Sequence, residues 1–138
     1  AAVARGGQWV WAPKPPRPVL PDAVERRAII AACEALIRDV LKPVHVPVIV
    51  PTEFNYLVDI TGAYAGGRYR FMRHYRSGFA DNLGQEFGAP FARIDCMGRD
   101  SFDVHWMRHT GQWWPLHQGL PLGGALDKVV TDGVFQPW

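Results

Sequence analysis

A basic and aromatic cluster in the middle of the sequence is the first candidate for chemistry. Four arginines fall within nine residues, and no acidic residue occurs between positions 60 and 80. These arginines are Arg68, Arg70, Arg73 and Arg76. Because alternate residues of a strand point to one face, the even-numbered members, with His74, would share a face at a spacing of about 7 Å.

Arginines interleaved with aromatic residues are typical of surfaces that bind single-stranded nucleic acid or another anion, through phosphate pairing and base stacking. The simpler interpretation is a solvated sheet face, or ion pairs with acids on neighbouring strands. The acids available for such pairs are Glu53, Asp59, Asp95 and Asp103. Both interpretations therefore stay open at this point.

The five histidines and two cysteines raise the question of a catalytic or metal site. Cys96, His105 and Asp103 could meet across one hairpin, with His109 at its turn. However, neither Cys-x-x-Cys nor His-Glu-x-x-His spacing occurs, and neither serine lies in a Gly-x-Ser-x-Gly turn. We therefore assign no catalytic residue, expect no metal and no cofactor, and favour a binding protein over an enzyme.

The stretch from residue 106 to residue 116 holds three tryptophans around a tight turn, with Arg108 and His109 beside it. Trp113 and Trp114 are adjacent, so in a strand they must point to opposite faces. Tryptophan and arginine are enriched where binding energy concentrates, but indoles also fill sheet cores well. We expect one of the two indoles to enter the core and the other to form a surface contact.

Residues 1–19 differ in character from the remainder, which we take as a single domain over residues 20–138. Trp9 and Trp11 precede a stretch with four prolines in six positions, and no acid occurs before Asp22. Such a stretch can form neither a helix nor an interior strand, which predicts an extended polyproline arm. An extended arm becomes ordered only against its own domain or a partner, which favours attachment as its role.

The remaining pattern predicts an α+β domain. Apolar residues at three- and four-residue steps indicate a helix over residues 22–41, ended by Lys42-Pro43. A proline-rich link over residues 44–51 then leads to alternating stretches at residues 54–60, 68–76, 91–97, 102–108 and 112–116, with a loop between Gly62 and Gly67. A short helix over residues 122–130 follows. The expected architecture is an antiparallel meander of four or five strands between a long N-terminal helix and a short C-terminal helix.

Composition limits the function classes without selecting one. The chain has 138 residues, 48% hydrophobic and 20% charged, with a formal net charge of +2. These values are typical of a globular domain, and the charge is too small to identify a nucleic-acid or membrane protein. Cys33 and Cys96 lie in apolar patterns, so we expect buried free thiols and a reducing intracellular compartment, cytoplasm or organelle matrix.

The last third of the chain resembles a bacterial family known only as a domain of unknown function. The resemblance rests on residues 91–100, on residues 102–114 with their Arg-His-Thr-Gly-x-Trp-Trp hairpin, on Leu120-Pro-Leu and on residues 132–137. In architecture it extends from Pro21 to Pro137. It implies an opening helix, hairpins and a last helix, and no activity; the arm departs from this pattern.

Our first hypothesis is a non-catalytic interaction module, a subunit or accessory part of a larger assembly, that binds a protein partner through its arm. The candidate contact residues are Trp9, Trp11, Arg68, Arg70, Arg73, Arg76, Arg108 and Trp114. One alternative is single-stranded nucleic acid bound on a sheet face by Arg68, Arg70, Tyr69, Tyr75 and Trp114. The other is a small enzyme or ligand pocket near Cys96, His105 and His109.

Overall fold

The computed structural model describes residues 2–5, 8–11 and 17–135, the first two ranges by their backbone only. In chain order the elements are β1 (Ala2–Arg5), β2 (Gln8–Trp11), α1 (Ala23–Leu36), a π-helical turn (Ile37–Leu41), α2 (Lys42–His45), β3 (Asn55–Ala65), β4 (Arg68–Ser77), a 3₁₀ turn (Ala80–Asn82), β5 (Glu86–Gly98), β6 (Ser101–Met107), β7 (Trp113–Leu120), α3 (Leu122–Thr131) and a final 3₁₀ turn (Gly133–Phe135). The predicted α+β class is confirmed.

Helix α1 begins where the sequence predicts. Asp22 is its N-cap, and the Asp22 carboxylate accepts a hydrogen bond of 2.8 Å from the Glu25 backbone N–H. The apolar stripe of the helix is buried and continues through the π-helical turn as Cys33, Ile37 and Leu41. This stripe fixes which side of the helix lies on the sheet.

The predicted helix end at Lys42-Pro43 is wrong, because the helical chain continues through Pro43 to His45. A proline inside an α-helix offers no N–H, and its ring clashes with the carbonyl four residues earlier. Here the preceding turn is a π-helix, in which the Lys42 N–H donates to the Ile37 carbonyl five residues back. A π-helical turn thus directly precedes Pro43, and the helical chain continues past the proline instead of stopping. An irregular connection then leads to β3.

The five strands β3 to β7 form one antiparallel sheet in chain order, as a meander. One detail of the prediction is wrong: Gly62 lies inside β3 and not in a loop, and the chain turns only at Gly66 and Gly67, both with positive φ. Gly62 is paired across from Phe71, and the ring of Tyr69 lies directly over its Cα. Glycine at position 62 therefore makes room for an aromatic side chain.

The sheet has two unlike faces. The core lies between its first face and the helices, with Phe71, Ile94 and Val104 among its buried members and Ala125 and Val129 facing them from α3. We call the opposite side the helix-free face, since no helix in the described part of the chain covers it. None of the described helices is long and apolar enough to cross a lipid bilayer.

The predicted arm contains a small hairpin, since β1 and β2 pair in antiparallel register. Residues 12–16, with three of the arm's prolines, and the side chains of Trp9 and Trp11 lie outside the described residues. From residue 17 the chain runs along the sheet, where the Val19 N–H donates to the Cys96 carbonyl over 2.6 Å. The exit of the arm is thereby attached to the start of β4 and the end of β5.

Candidate ligand-binding site

The helix-free face contains a pocket of about 270 Å³. Four strands contribute to its lining, β4 through β7. The side chains that determine its chemistry are Arg68, Arg93, Asp95, Asp103, His105 and Trp113.

Strand register explains why these side chains meet. Arg68 of β4 is paired with Asp95 of β5, and Asp95 is paired with Asp103 of β6. One step along the same face, Arg93 lies between Arg70 and His105. Because paired residues project to one side of a sheet, two adjacent rows of ionisable groups cross β4, β5 and β6.

A buried ion pair forms the floor of the pocket. Arg93 donates two hydrogen bonds to the Asp95 carboxylate, at 2.7 and 3.0 Å, and the side chains are only 9% and 4% exposed. Arg68 Nε lies 3.4 Å from the same carboxylate. The Arg93 guanidinium carbon is also 4.9 Å from the ring centroid of Trp113. Charge pairing and cation–π contact together hold Arg93 in one orientation.

His105 of β6 stands beside this pair. Burial lowers the pKa of His105 below its ordinary value; the nearby Asp95 carboxylate opposes this and Arg93 adds to it. Its Nδ1 is 3.9 Å from Asp95 Oδ2, too far for a hydrogen bond. His105 Nδ1 and Arg68 Nε are buried without a hydrogen-bond partner among the described residues. Both atoms face the Asp95 carboxylate, at 3.9 and 3.4 Å, so Asp95 is the centre of charge around which His105, Arg68 and Arg93 are arranged.

The sequence of the domain matches one protein family. The sequence profile of a family described as a domain of unknown function, DUF3024, matches residues 20–137. The chain belongs to this family. No curated protein and no solved structure matches the chain. The family resemblance of the last third is thus confirmed over nearly the whole domain, and it carries a fold without an assigned activity.

The arginines predicted as contact residues do not all share one face of this DUF3024 domain. Arg68, Arg70 and Arg76 lie on the helix-free face, and Arg76 pairs with Glu86 at 2.7 Å. Arg73 lies on the helix-covered face, where its guanidinium stacks 4.5 Å above Phe91 and donates to the Phe135 carbonyl. Arg73 therefore ties the C-terminal turn to the sheet.

None of the three aromatic residues proposed for base stacking lies on the helix-free face. Tyr69 is buried in the core at 2% exposure, and Tyr75 stacks on Phe87 on the same side of β4. Trp114 is half exposed and lies under the Arg108 guanidinium, across from Trp106. The indole on the helix-free face is Trp113. The two adjacent tryptophans point to opposite faces, as predicted, but the expectation that one enters the core is wrong: Trp113 lines the pocket, and Trp114 is a surface residue beside Arg108.

The trio of Cys96, His105 and His109 does not form a site. Cys96 is buried on the helix-covered face, His105 points to the opposite face, and His109 is exposed in the β6–β7 turn. Both cysteines are free and buried, as predicted. Within the described ranges, no three His, Cys, Asp or Glu side chains are placed to hold a metal ion.

Sequence reasoning missed Arg93 as a site residue. Its signal was present: Arg93 and Asp95 are opposite charges two positions apart in an otherwise apolar run, Phe91 to Met97. In a strand this spacing places Arg93 and Asp95 on the same face. Charged residues within an apolar run become buried, and a buried charge requires a partner of opposite charge. That Arg68 and His105 lie beside Arg93 and Asp95 could be learned only from the register of the neighbouring strands.

Proposed function

We propose that the protein is a non-catalytic binding module and that the pocket on its helix-free face accepts an anionic ligand. The observation that carries the proposal is the convergence of Arg68, Arg93 and His105 on one pocket, with the exposed Arg70 beside it on the same face. Pockets that bind small molecules combine apolar walls with a few fixed polar groups. Here Trp113 and Met97 supply apolar wall, and Arg93 supplies a fixed guanidinium.

Charge favours an anion over a cation. The Asp95 carboxylate is already taken up by Arg93 and Arg68, and Arg70 has no ion-pair partner among the described residues. Arginine matches carboxylate and phosphate groups with two parallel hydrogen bonds, which adds orientation to attraction. A negatively charged group at the β4 end of this face would thus meet the unpaired guanidinium of Arg70, while the Asp103 carboxylate lies in the lining on β6.

The thiols support binding over catalysis. Burial raises the pKa of Cys33, and burial also raises the pKa of Cys96, which keeps both sulfurs protonated at neutral pH. A protonated, buried thiol is a poor nucleophile. Ser77 donates its hydroxyl proton to the Asn82 side chain and has no adjacent base among the described residues.

The test is a ligand screen with matched variants of the full chain. A panel of small organic phosphates and carboxylates, aromatic and aliphatic, is measured by saturation-transfer NMR against wild type, Arg68→Gln and Arg27→Gln. Arg27 is an exposed arginine of α1 and serves as the control for loss of one positive charge. We expect binding to wild type and Arg27→Gln that is lost in Arg68→Gln. A panel without binders, or binding that persists in Arg68→Gln, contradicts the proposal.

The arm remains a second candidate surface, for a protein partner. Its exit is fixed by the Val19–Cys96 hydrogen bond, so residues 1–16 leave the domain at a defined position beside the β3–β4 turn. A fixed exit lowers the entropy lost when an attached segment binds. Affinity purification with the full chain and with residues 1–16 deleted tests this role: a partner retained by both is not bound through the arm.

A further inference from the structure

A second cavity, of about 450 Å³, lies at the β3–β4 turn next to the exit of the arm. Its lining contains three arginines and no acidic residue. We refer to Arg17, Arg68 and Arg70 as the arginine cradle. Arg68 is already paired with Asp95, whereas Arg17 and Arg70 have no ion-pair partner among the described residues, so an anion between these two would relieve their mutual repulsion.

The cradle is held by backbone contacts. The Cys96 N–H donates to the Gly67 carbonyl at 2.8 Å, and the Cys96 carbonyl accepts from Val19, which brings residue 17 beside the turn. Gly67 has φ +80°, and a Cβ there would come within 2.8 Å of the Val19 carbonyl oxygen. Glycine at position 67 therefore permits the close approach that places Arg17 next to Arg68 and Arg70.

The cradle and the helix-free pocket share Arg68, which lines both cavities. A molecule that filled both would have an anionic group at the cradle and a polar, partly apolar body against Trp113. Beyond Trp113, the pocket lining offers the Asp103 carboxylate and the Gln118 amide. Asp103 Oδ1 accepts a hydrogen bond from the Gly119 N–H at 3.0 Å, which orients the carboxylate.

We propose that the ligand is a phosphorylated nucleoside, bound with its phosphate in the arginine cradle and its base in the helix-free pocket. This inference rests on the proposed anion-binding function. Phosphate is the anion that several arginines bind best together, through paired hydrogen bonds. A nucleobase supplies a flat body for the indole and a hydrogen-bonding edge for Asp103 and Gln118.

The acceptor at Asp103 also selects among the bases. A carboxylate accepts from the exocyclic amino group of cytosine or adenine, whereas the carbonyl of uracil at that position offers no donor. The imidazole of His105 lines the same pocket and adds a ring that can donate or accept a hydrogen bond. The site therefore favours an amino-bearing base, either in a free nucleotide or in one unit of a single strand.

The experiment is calorimetric titration of the full chain with matched probes. The probes are 5′-CMP, 5′-AMP, 5′-UMP, cytidine, inorganic phosphate, and oligonucleotides of eight deoxycytidines or eight deoxythymidines. We expect 5′-CMP to bind roughly tenfold more tightly than 5′-UMP, from one base hydrogen bond, and more tightly than cytidine or phosphate. Tighter binding of the cytidine oligomer than of 5′-CMP identifies a strand as the source; equal binding identifies the free nucleotide.

Variants assign the two halves of the site. Arg70→Gln should weaken 5′-CMP at least roughly tenfold and leave cytidine unchanged, because Arg70 is exposed and lines only the cradle. Asp103→Asn keeps the acceptor for Gly119 and should remove the preference for CMP over UMP. Arg27→Gln is the control and should bind as wild type does.

Two results overturn the inference. If 5′-CMP and phosphate bind equally, no base is recognised, although an anion site on this face would stand. If none of the seven probes binds, the ligand is not a phosphorylated nucleoside with an amino-bearing base, and the wider panel of phosphates and carboxylates then decides the proposed function separately.

Discussion

Replacing Asp95 by Asn tests the floor of the pocket directly. The substitution is isosteric and removes the negative charge beneath Arg93, whose side chain is 9% exposed. The remaining Arg93 and Arg68 guanidinium groups would then face each other without a carboxylate between them.

The magnitude follows from burial and distance. At an effective dielectric constant of about 20, unit charges about 4 Å apart attract by about 4 kcal/mol, and breaking a buried pair by removing one partner destabilises proteins by about 3–5 kcal/mol. Asp95→Asn should therefore lower the free energy of unfolding by about 3–5 kcal/mol. Arg93→Met should lower the free energy of unfolding by up to about 1 kcal/mol less than Asp95→Asn does, because Asp95 keeps Arg68 as a partner. The difference is small because Arg68 is partly exposed to solvent, which weakens its attraction to Asp95.

The assay is urea denaturation at neutral pH followed by circular dichroism, with the double variant Arg93→Met/Asp95→Leu completing the cycle. Replacing both charges with apolar side chains should recover most of the lost stability. Arg76→Gln, at an exposed ion pair, is the control and should leave the urea midpoint nearly unchanged. A smaller loss for Asp95→Asn than for Arg93→Met would refute the reasoning that Asp95 is held by two cations.

Three other measurements test separate parts of the fold. Gly62→Ala should destabilise the protein by about 1–3 kcal/mol, because a methyl group would meet the Tyr69 ring, whereas Gly123→Ala, with open space around it, should stabilise it by about 0.5–1 kcal/mol. Urea midpoints compare the two variants, and an unchanged midpoint for Gly62→Ala would refute the contact with Tyr69. The Val134 N–H and the His117 ring lower the pKa of Asp132, so its contribution to the free energy of unfolding is present above about pH 4 and is lost as pH falls through its folded pKa. Asp132→Asn should therefore flatten the acid side of a plot of stability against pH, and an unchanged plot would exclude a contribution from the pair of Asp132 and His117. Cys33 and Cys96 should resist a thiol reagent at pH 8 in the folded protein and react in urea, since burial raises the pKa of both; modification without urea would contradict their placement.

The fold was predictable from the sequence because its elements are separated by strong local signals. Asp22 caps α1, paired glycines at 66 and 67 turn the first hairpin, and period-two alternation marks β4 and β6. Local rules failed at Pro43 and Gly62. At each position the choice depended on a non-local condition, a π-helical turn in one case and an aromatic ring from the next strand in the other.

The site was predictable only in part. Arg68 and Arg70 were selected from their shared strand face, and the structure places them there beside the pocket and the cradle. Arg93 was not selected, because its role depends on the residues paired with it on β4 and β6, Arg70 and His105. The sequence of one strand does not determine which residues of the neighbouring strands lie opposite it. Arg17 belongs to the cradle through a backbone contact between residues 19 and 96, which no periodicity encodes.

The meander leaves two outer strands, β3 and β7, whose unpaired backbone groups could pair with strands of other chains. Both outer strands carry irregularities that hinder such pairing. The β3–β4 pairing shifts at Val58, and Lys42 bridges to Asp59 on β3. β7 contains Pro115, which has no N–H to donate, and Gly119 with positive φ. We therefore expect copies of this domain to resist strand-to-strand association, so that any assembly it joins uses its faces and its arm.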